Sequence, residues 1–262
     1  MEPEQDRLVF ITGASSGIGQ AVALRFYQAG YRLALVARRT DVLHVWTQQA
    51  AMEPHRVRVY AADVAVTQNI VDAGLACIAA QGVPDVVVAS AGVSIGMDTM
   101  DRADLDVLAR VYATNNIGLA ATFHPFLEAM VGRGSGVLVG IASVNGIRGF
   151  PGHGAYCSSK AAVISYCESL RGELRASGVK VLTICPGYVD TPLTRGNRYP
   201  MPFLMSPQAF AQKLFRAVVA GSSYRTFPWQ MALVAKLLRV LPNPWFDRLF
   251  AGRARKRRNI PG

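Results

Sequence analysis

Short apolar runs recur along the chain, and most are followed by a stretch whose apolar positions return every three or four residues. Runs at 7–12, 31–37, 57–61, 85–89, 136–142 and 179–184 predict strands, and 224–227 predicts a last one. Helical periodicity covers 21–29, 41–51, 69–80, 155–176 and 207–220, and 101–131 reads as one long helix or two joined ones. Val86, Val87 and Val88 are β-branched at successive positions, so both faces of their strand expect burial. Strands alternating with helices predict an α/β fold: one parallel sheet covered by helices on both sides. No break in composition marks a second domain, and no internal repeat is visible.

The pattern changes after residue 227. Residues 228–251 are rich in large apolar side chains, and Pro242 and Pro244 split them into two short helices. Neither piece reaches the roughly 20 apolar residues that span a bilayer. The expected division is a body at 1–226 and an amphipathic, basic extension at 227–262 within the same domain. The chain carries 28 Lys and Arg against 17 Asp and Glu, a net charge of +11. Eight of those cations, from Lys236 to Arg258, face only Asp247, so most of the excess charge belongs to the extension. Three uses stay open: an anionic membrane surface through 228–258, assembly or cover for a pocket, and nucleic acid. The last is disfavoured, because basic and aromatic residues do not interleave as nucleic-acid surfaces require.

Hydrophobic residues make up 51% of the chain and charged ones 17%, which fits a chain with a full core and not a disordered one. Cys77, Cys157, Cys167 and Cys185 form no Cys-x-x-Cys pair, and no metal site is expected. Free thiols suit a reducing, cytoplasmic setting, with peripheral membrane attachment as an option. Residues 1–6 are polar, so no secretory signal or N-terminal anchor is expected.

Candidate chemistry begins at the first strand-to-helix turn, where Thr12-Gly13-Ala14-Ser15-Ser16-Gly17-Ile18-Gly19 can hold a pyrophosphate. Glycines there allow a tight turn and let backbone N–H groups approach phosphates at a helix N-terminus. Ser15 and Ser16 add hydroxyls. At the end of the second strand, a carboxylate would favour NAD(H) by binding ribose hydroxyls. This chain has Arg38 and Arg39 instead, which suit a 2′-phosphate and point to NADP(H) over NAD(H). Further along, Tyr156 and Lys160 stand one helical turn apart, and Ser143 ends a predicted strand thirteen residues earlier. In an open parallel sheet, ligands sit at that edge.

This ordered set resembles the short-chain dehydrogenase/reductase family in its common form of about 250 residues, over residues 7–220. The matching motifs are the glycine turn through Gly19, Asp63-Val64, Ser90-Ala91-Gly92, Asn115-x-x-Gly118, Ser143, Tyr156-x-x-x-Lys160 and Pro186-Gly187. The resemblance implies a Rossmann-type doubly wound sheet and hydride transfer between a nicotinamide and a ketone, aldehyde or secondary alcohol. It implies that Asp63 and Val64 contact the adenine and that Ser90, Ala91 and Gly92 line the cofactor cleft. Asn115 would hold a helix irregularity and a proton-relaying water, and Pro186, Gly187, Val189 and Thr191 would meet the nicotinamide end. Lys160 would bind the nicotinamide ribose and, with an oxidised nicotinamide nearby, lower the pKa of Tyr156, the general acid/base. Ser143 would hold the substrate oxygen. Ser90 stands where the family usually has Asn, and spacing to Gly118 favours Asn115 over Asn116. A homodimer or homotetramer is expected from the resemblance.

Residues 188–206 follow the sixth strand and should close over substrate. Leu193, Tyr199, Met201, Phe203, Leu204 and Met205 make this lid apolar, and its prolines should limit helix formation. The small-molecule substrate expected is therefore a lipophilic carbonyl compound or alcohol, such as a long-chain or cyclic ketone or secondary alcohol. A reductase of small polar ketones and a dinucleotide-binding regulator or scaffold without turnover remain alternatives, although binding alone needs neither Ser143 nor Tyr156. His153 faces either substrate or nothing, and Cys157 is expected to pack.

Overall fold

A computed structural model describes residues 7–197 and 200–252. Its strands are β1 (Leu8–Thr12), β2 (Arg32–Ala37), β3 (Val57–Ala61), β4 (Val86–Ala89), β5 (Gly136–Ile141), β6 (Val179–Pro186) and β7 (Tyr224–Phe227). All pair in parallel, in the order β3-β2-β1-β4-β5-β6-β7. The helices between them are α1 (Gly17–Gln28), α2 (Thr40–Gln49), α3 (Thr67–Gln81), α4 (Asp104–Tyr112), α5 (Gly118–Arg133), α6 (Gly154–Glu173), α7 (Pro192–Arg195) and α8 (Pro207–Val219). After β7 come α9 (Trp229–Val240) and α10 (Asn243–Phe250). This is a Rossmann-like α/β architecture with a helical C-terminal segment.

The two-residue period of the strands sorts the core into two layers. Leu8 and Phe10 of β1 point to one face, where Phe123, Phe126 and Val163 of the helices meet them. Val9 and Ile11 point to the other, against Val22 and Phe26 of α1 and Phe210 and Leu214 of α8. Burial on both faces explains why β1 and β4 read as unbroken apolar runs. The chain order reverses between β1 and its two neighbours β2 and β4, which opens a crevice at the C-terminal ends of those strands.

Two local features depart from the simplest reading of the pattern. The stretch 101–131 is two joined helices, as one of the two readings expected, but the joint is a π-turn at Ala113–Ile117 between α4 and α5. The lid does contain a helical turn, α7, despite its prolines. Pro192 occupies the first turn of α7, where its missing N–H would have no partner anyway. Tyr199, and the basic residues after 252, lie outside the described residues. Among the described residues no helix is long and apolar enough to cross a membrane.

Candidate active site

The crevice at the strand reversal is a groove of about 710 Å³. Gly13, Ser15, Ser16, Gly17, Ile18 and Gly19 form its floor, from the turn between β1 and α1. Gly13 has φ +67°, and a Cβ there would lie 2.8 Å from the Ala91 Cα, so only glycine lets the turn pass this close to the chain after β4. The Thr12 hydroxyl ties the two segments together by accepting from the Ala91 N–H at 3.3 Å. Ser90, Ala91 and Gly92 form the next wall, Asp63 and Val64 another, and Thr191 closes the far side. Arg38 and Arg39 line the end beyond β2 and are exposed. The nearest atoms of Arg38 and Asp63 are 3.9 Å apart, a partly exposed pair that leaves the second arginine to carry charge at that end.

Asn115 sits in the π-turn and is almost fully buried. Its side-chain oxygen accepts from the Val93 N–H at 2.8 Å, and its amide donates to the Val93 carbonyl at 3.0 Å and the Ser159 hydroxyl at 2.9 Å. Asn116 instead donates to the Ser159 carbonyl. The extra residue of the π-turn is what turns Asn115 toward the chain after β4.

On α6 the spacing of four puts Tyr156 and Lys160 on one face. The Lys160 ammonium lies 5.8 Å from the centroid of the Tyr156 ring and donates to the Ile141 carbonyl at 2.8 Å. Ser143 follows β5 in extended conformation, and its hydroxyl accepts from the Asn145 N–H at 3.1 Å. Burial dominates the electrostatics of this cluster. It pushes the Tyr156 phenol up to about 12, and a hydrogen bond from Ser143 only partly opposes it. It pushes the Lys160 ammonium down to about 8. Burial of the phenol and of the ammonium thus sets the direction of both shifts.

Two spaces reach the neighbours of the cluster. On one side, a Cβ on the groove residue Gly92 would come 3.3 Å from the Asn115 Oδ1 and 3.5 Å from the Lys160 Nζ, so the missing side chain keeps a cradle open over both. On the other is a cavity of about 660 Å³. Val144, next to Ser143, and His153, one turn before Tyr156, line it. Its remaining walls are the loop after β5 with Asn145, Ile147, Arg148, Phe150 and Pro151, then Tyr188, the lid prolines Pro200 and Pro202, Met231, Val234, Ala235 and Leu238 of α9, and Phe250 of α10.

Of the residues marked by sequence, fourteen line the groove and seven do not: Asn115, Ser143, Tyr156 and Lys160 form the largely buried cluster, and Pro186, Gly187 and Val189 lie elsewhere. Pro186 pairs with Phe227 at the end of β6. Gly187 packs on Met231. Val189 is buried and bridges to Met205. His153 is buried against the cavity, with Nδ1 3.2 Å from the Pro151 carbonyl, and Cys157 is buried. Arg110 and Thr114, from α4 and the π-turn, also line the groove, and nothing in their local pattern announced it. The cavity wall from α9 was visible only as one of three uses for the extension.

A glycine-floored groove on a Rossmann-like sheet, with a largely buried Ser–Tyr–Lys cluster, is the arrangement the family resemblance leads one to expect. The family model for short chain dehydrogenases matches residues 7–201, and the chain belongs to that family. An uncharacterized oxidoreductase of Myxococcus xanthus is 38% identical over 241 residues, covering 92% of this chain and 95% of that protein. A short-chain dehydrogenase from Streptomyces avermitilis superposes with a TM-score of 0.78 at 25% identity, covering 88% of this chain and 91% of that one. An alcohol dehydrogenase from Thermococcus sibiricus, solved with 5-hydroxy-NADP, superposes with a TM-score of 0.73 at 25% identity, covering 84% and 95%.

Proposed function

We propose that this oxidoreductase is an NADP(H)-dependent reductase of lipophilic ketones or aldehydes. The observation that carries the reading is the cavity of about 660 Å³, lined mainly by apolar side chains together with Asn145, Arg148 and His153, and reaching Val144, the neighbour of Ser143, and His153, one turn before Tyr156. Such a space rewards burial of hydrocarbon, with a few polar groups on its wall to orient a carbonyl compound.

The groove fits a dinucleotide. Gly13 through Gly19 offer backbone N–H groups to the pyrophosphate, Asp63 and Val64 lie where an adenine would rest, and Arg38 and Arg39 offer cations to a 2′-phosphate. The NADP analogue held by the Thermococcus sibiricus neighbour agrees with that preference. When bound, the nicotinamide supplies the hydride in reduction, or receives it in oxidation.

Ser143 holds the substrate oxygen and stabilises negative charge as it develops there. Tyr156, fully protonated at neutral pH because burial has raised its pKa to about 12, gives that oxygen its proton. The preference for NADP(H) favours reduction as the working direction. Lys160 stabilises the phenolate left behind, and Asn115 fixes the backbone at Val93, beside the cradle at Gly92. The two phases of the site stay separate: phosphates in the polar groove, hydrocarbon in the cavity.

The test follows NADPH oxidation, with NADH in parallel, across ketones of increasing chain length, using the wild type and Tyr156→Phe. Turnover that rises with chain length, prefers NADPH and falls at least about 100-fold in the mutant supports the reading. Near-normal turnover by Tyr156→Phe refutes the role of Tyr156. Cofactor binding without turnover of any carbonyl would leave a binding protein.

A further inference from the structure

We infer that the outward face of α9 and α10 docks on an anionic membrane surface, with the cavity opening toward it so that apolar substrate enters from lipid. The identity of the cargo rests on the lipophilic-carbonyl reading above; the docking itself does not.

The two helices have divided faces. Met231 and Ala235 of α9 are buried, and Val234 and Leu238 line the cavity. Trp229, Leu233, Leu237 and Val240 point the other way and are 56–78% exposed. Their spacing of four, four and three makes a stripe about 80° wide at 3.6 residues per turn. On α10, Phe246 is buried against Phe150, while Trp245, 71% exposed, and Leu249 stand a turn apart in solvent. Single exposed apolar residues are ordinary on any surface. These are different, because they accompany α9, α10 and the lid, three of the segments that wall the cavity. Leu233 and Leu237 neighbour Val234 and Leu238, and Leu249 neighbours Phe250. In the lid, exposed Phe203 and Leu204 follow Pro202. Phe203 has φ +57°, a conformation costly for an aromatic residue, which holds its ring about half in solvent.

Charge chooses the occupant. Over 228–252 the cations Lys236, Arg239 and Arg248 face one acid, Asp247. On a helical wheel Lys236 and Arg239 fall along one flank of the apolar stripe. A second copy docked by two-fold symmetry would bring this cationic face against itself with little to neutralise it. An anionic bilayer accepts the same face as it stands: tryptophans at headgroup depth, leucines below, and lysine and arginine reaching phosphates from their flexible stems. Neither helix can cross the bilayer, so both lie on it.

The experiment uses the full chain with vesicles of phosphatidylcholine alone, and with about 30% phosphatidylglycerol, read by co-sedimentation and tryptophan emission. The wild type should bind the anionic vesicles at least about tenfold more tightly than neutral ones, with a blue shift, and release in high salt. Leu233→Glu/Leu237→Glu should lose about tenfold or more in binding. It should keep turnover of a short water-soluble ketone, and that turnover reports that it is folded. The salt titration of the wild type tests the same idea without any mutation. Wild type that stays in solution with anionic vesicles at low salt, or a double variant that binds equally well, overturns the proposal. A variant that only shrinks the particle size in light scattering, while the wild type ignores vesicles, overturns it in favour of a second copy. Vesicle binding with no carbonyl turnover by either protein leaves the docking standing and removes the lipophilic-carbonyl reading instead.

Discussion

Arg148 offers the sharpest test of how the cavity is held together. It lies in the loop after β5, and its guanidinium reaches the end of α9 some 90 residues later. It donates to the carbonyls of Leu238 and Leu241 and to the Asn243 side-chain oxygen at 2.9 Å, with a longer contact to the Arg239 carbonyl at 3.3 Å. The same group stacks over the Phe246 ring, 4.0 Å from its centroid. The last carbonyls of a helix have no partner within it, so Arg148 satisfies α9 and clamps α10 with one side chain. Hydrogen bonds to a charged donor contribute about 1.5–3 kcal/mol each when buried. Arg148 is half-buried and water would replace part of what it gives, so about 1 kcal/mol for each of three good bonds is the fitting scale. The ring contact adds about 0.5–1 kcal/mol. Arg148→Met keeps the aliphatic stem and removes the fork, so α9 and α10 should open more easily by about 3 kcal/mol. At about 1.4 kcal/mol per factor of ten, amide hydrogen exchange in α9 and α10 should quicken roughly 100-fold, with β1, β4 and β5 unchanged. Arg148→Lys should recover only part of the protection, because an ammonium cannot serve this spread of acceptors. Exchange within about threefold of wild type in both variants would refute the clamp.

Three other outcomes follow from the geometry. Replacing Arg38 and Arg39 together with serine should weaken NADPH binding by about ten- to 100-fold and leave NADH nearly unchanged, since only the 2′-phosphate needs them; titration by fluorescence checks this, and equal losses for both would oppose the assignment. Gly13→Ala should destabilise the fold by about 2–4 kcal/mol in urea melts, because φ +67° is strained for alanine and its Cβ would meet the Ala91 backbone at 2.8 Å. Lys160 should leave a signature in stability against pH. Burial lowers its pKa from 10.5 to about 8, so between those values the unfolded chain holds a proton that the native chain has shed. Stability of the wild type relative to Lys160→Met should therefore rise with pH across that window, by at most about 3 kcal/mol; a flat difference would mean that the ammonium is better solvated than its surroundings imply.

What the sequence disclosed, and what it hid, divides by range of contact. The sheet was legible because each strand carries its burial in its own residues: Val86, Val87 and Val88 could belong only to a strand covered on both faces. Tyr156 and Lys160 were legible as a pair because one helical turn joins them, and Ser143 because a strand end at the ligand edge precedes it. The π-turn was not legible from periodicity, since one extra residue in a helix only blurs the apolar repeat. The family resemblance supplied the helix irregularity at Asn115, and the hydrogen bonds to Val93 and Ser159 distinguish it from Asn116. Arg110 and Thr114 join the groove only because α4 is laid across it.

The hidden part is concentrated in the substrate cavity, and there is a physical reason. The cofactor groove is built at the C-terminal ends of β1, β2 and β4, where strand order alone fixes what converges. The cavity is built from the loop after β5, the lid and α9, three segments that meet only through side chains such as Arg148 and Phe246. No periodicity within any one of them specifies the others. The amphipathic extension displayed two apolar faces in sequence without saying which was inward. Met231 and Ala235 turn out to be buried and Leu233 and Leu237 exposed, so a single helix forms the cavity wall on one side and leaves a free apolar stripe on the other. Pocket cover and the proposed membrane docking are thus compatible, because each would use its own face of α9. Substitutions at Leu233 or Leu237 should therefore act on docking, and substitutions at Val234 or Leu238 on the range of substrates.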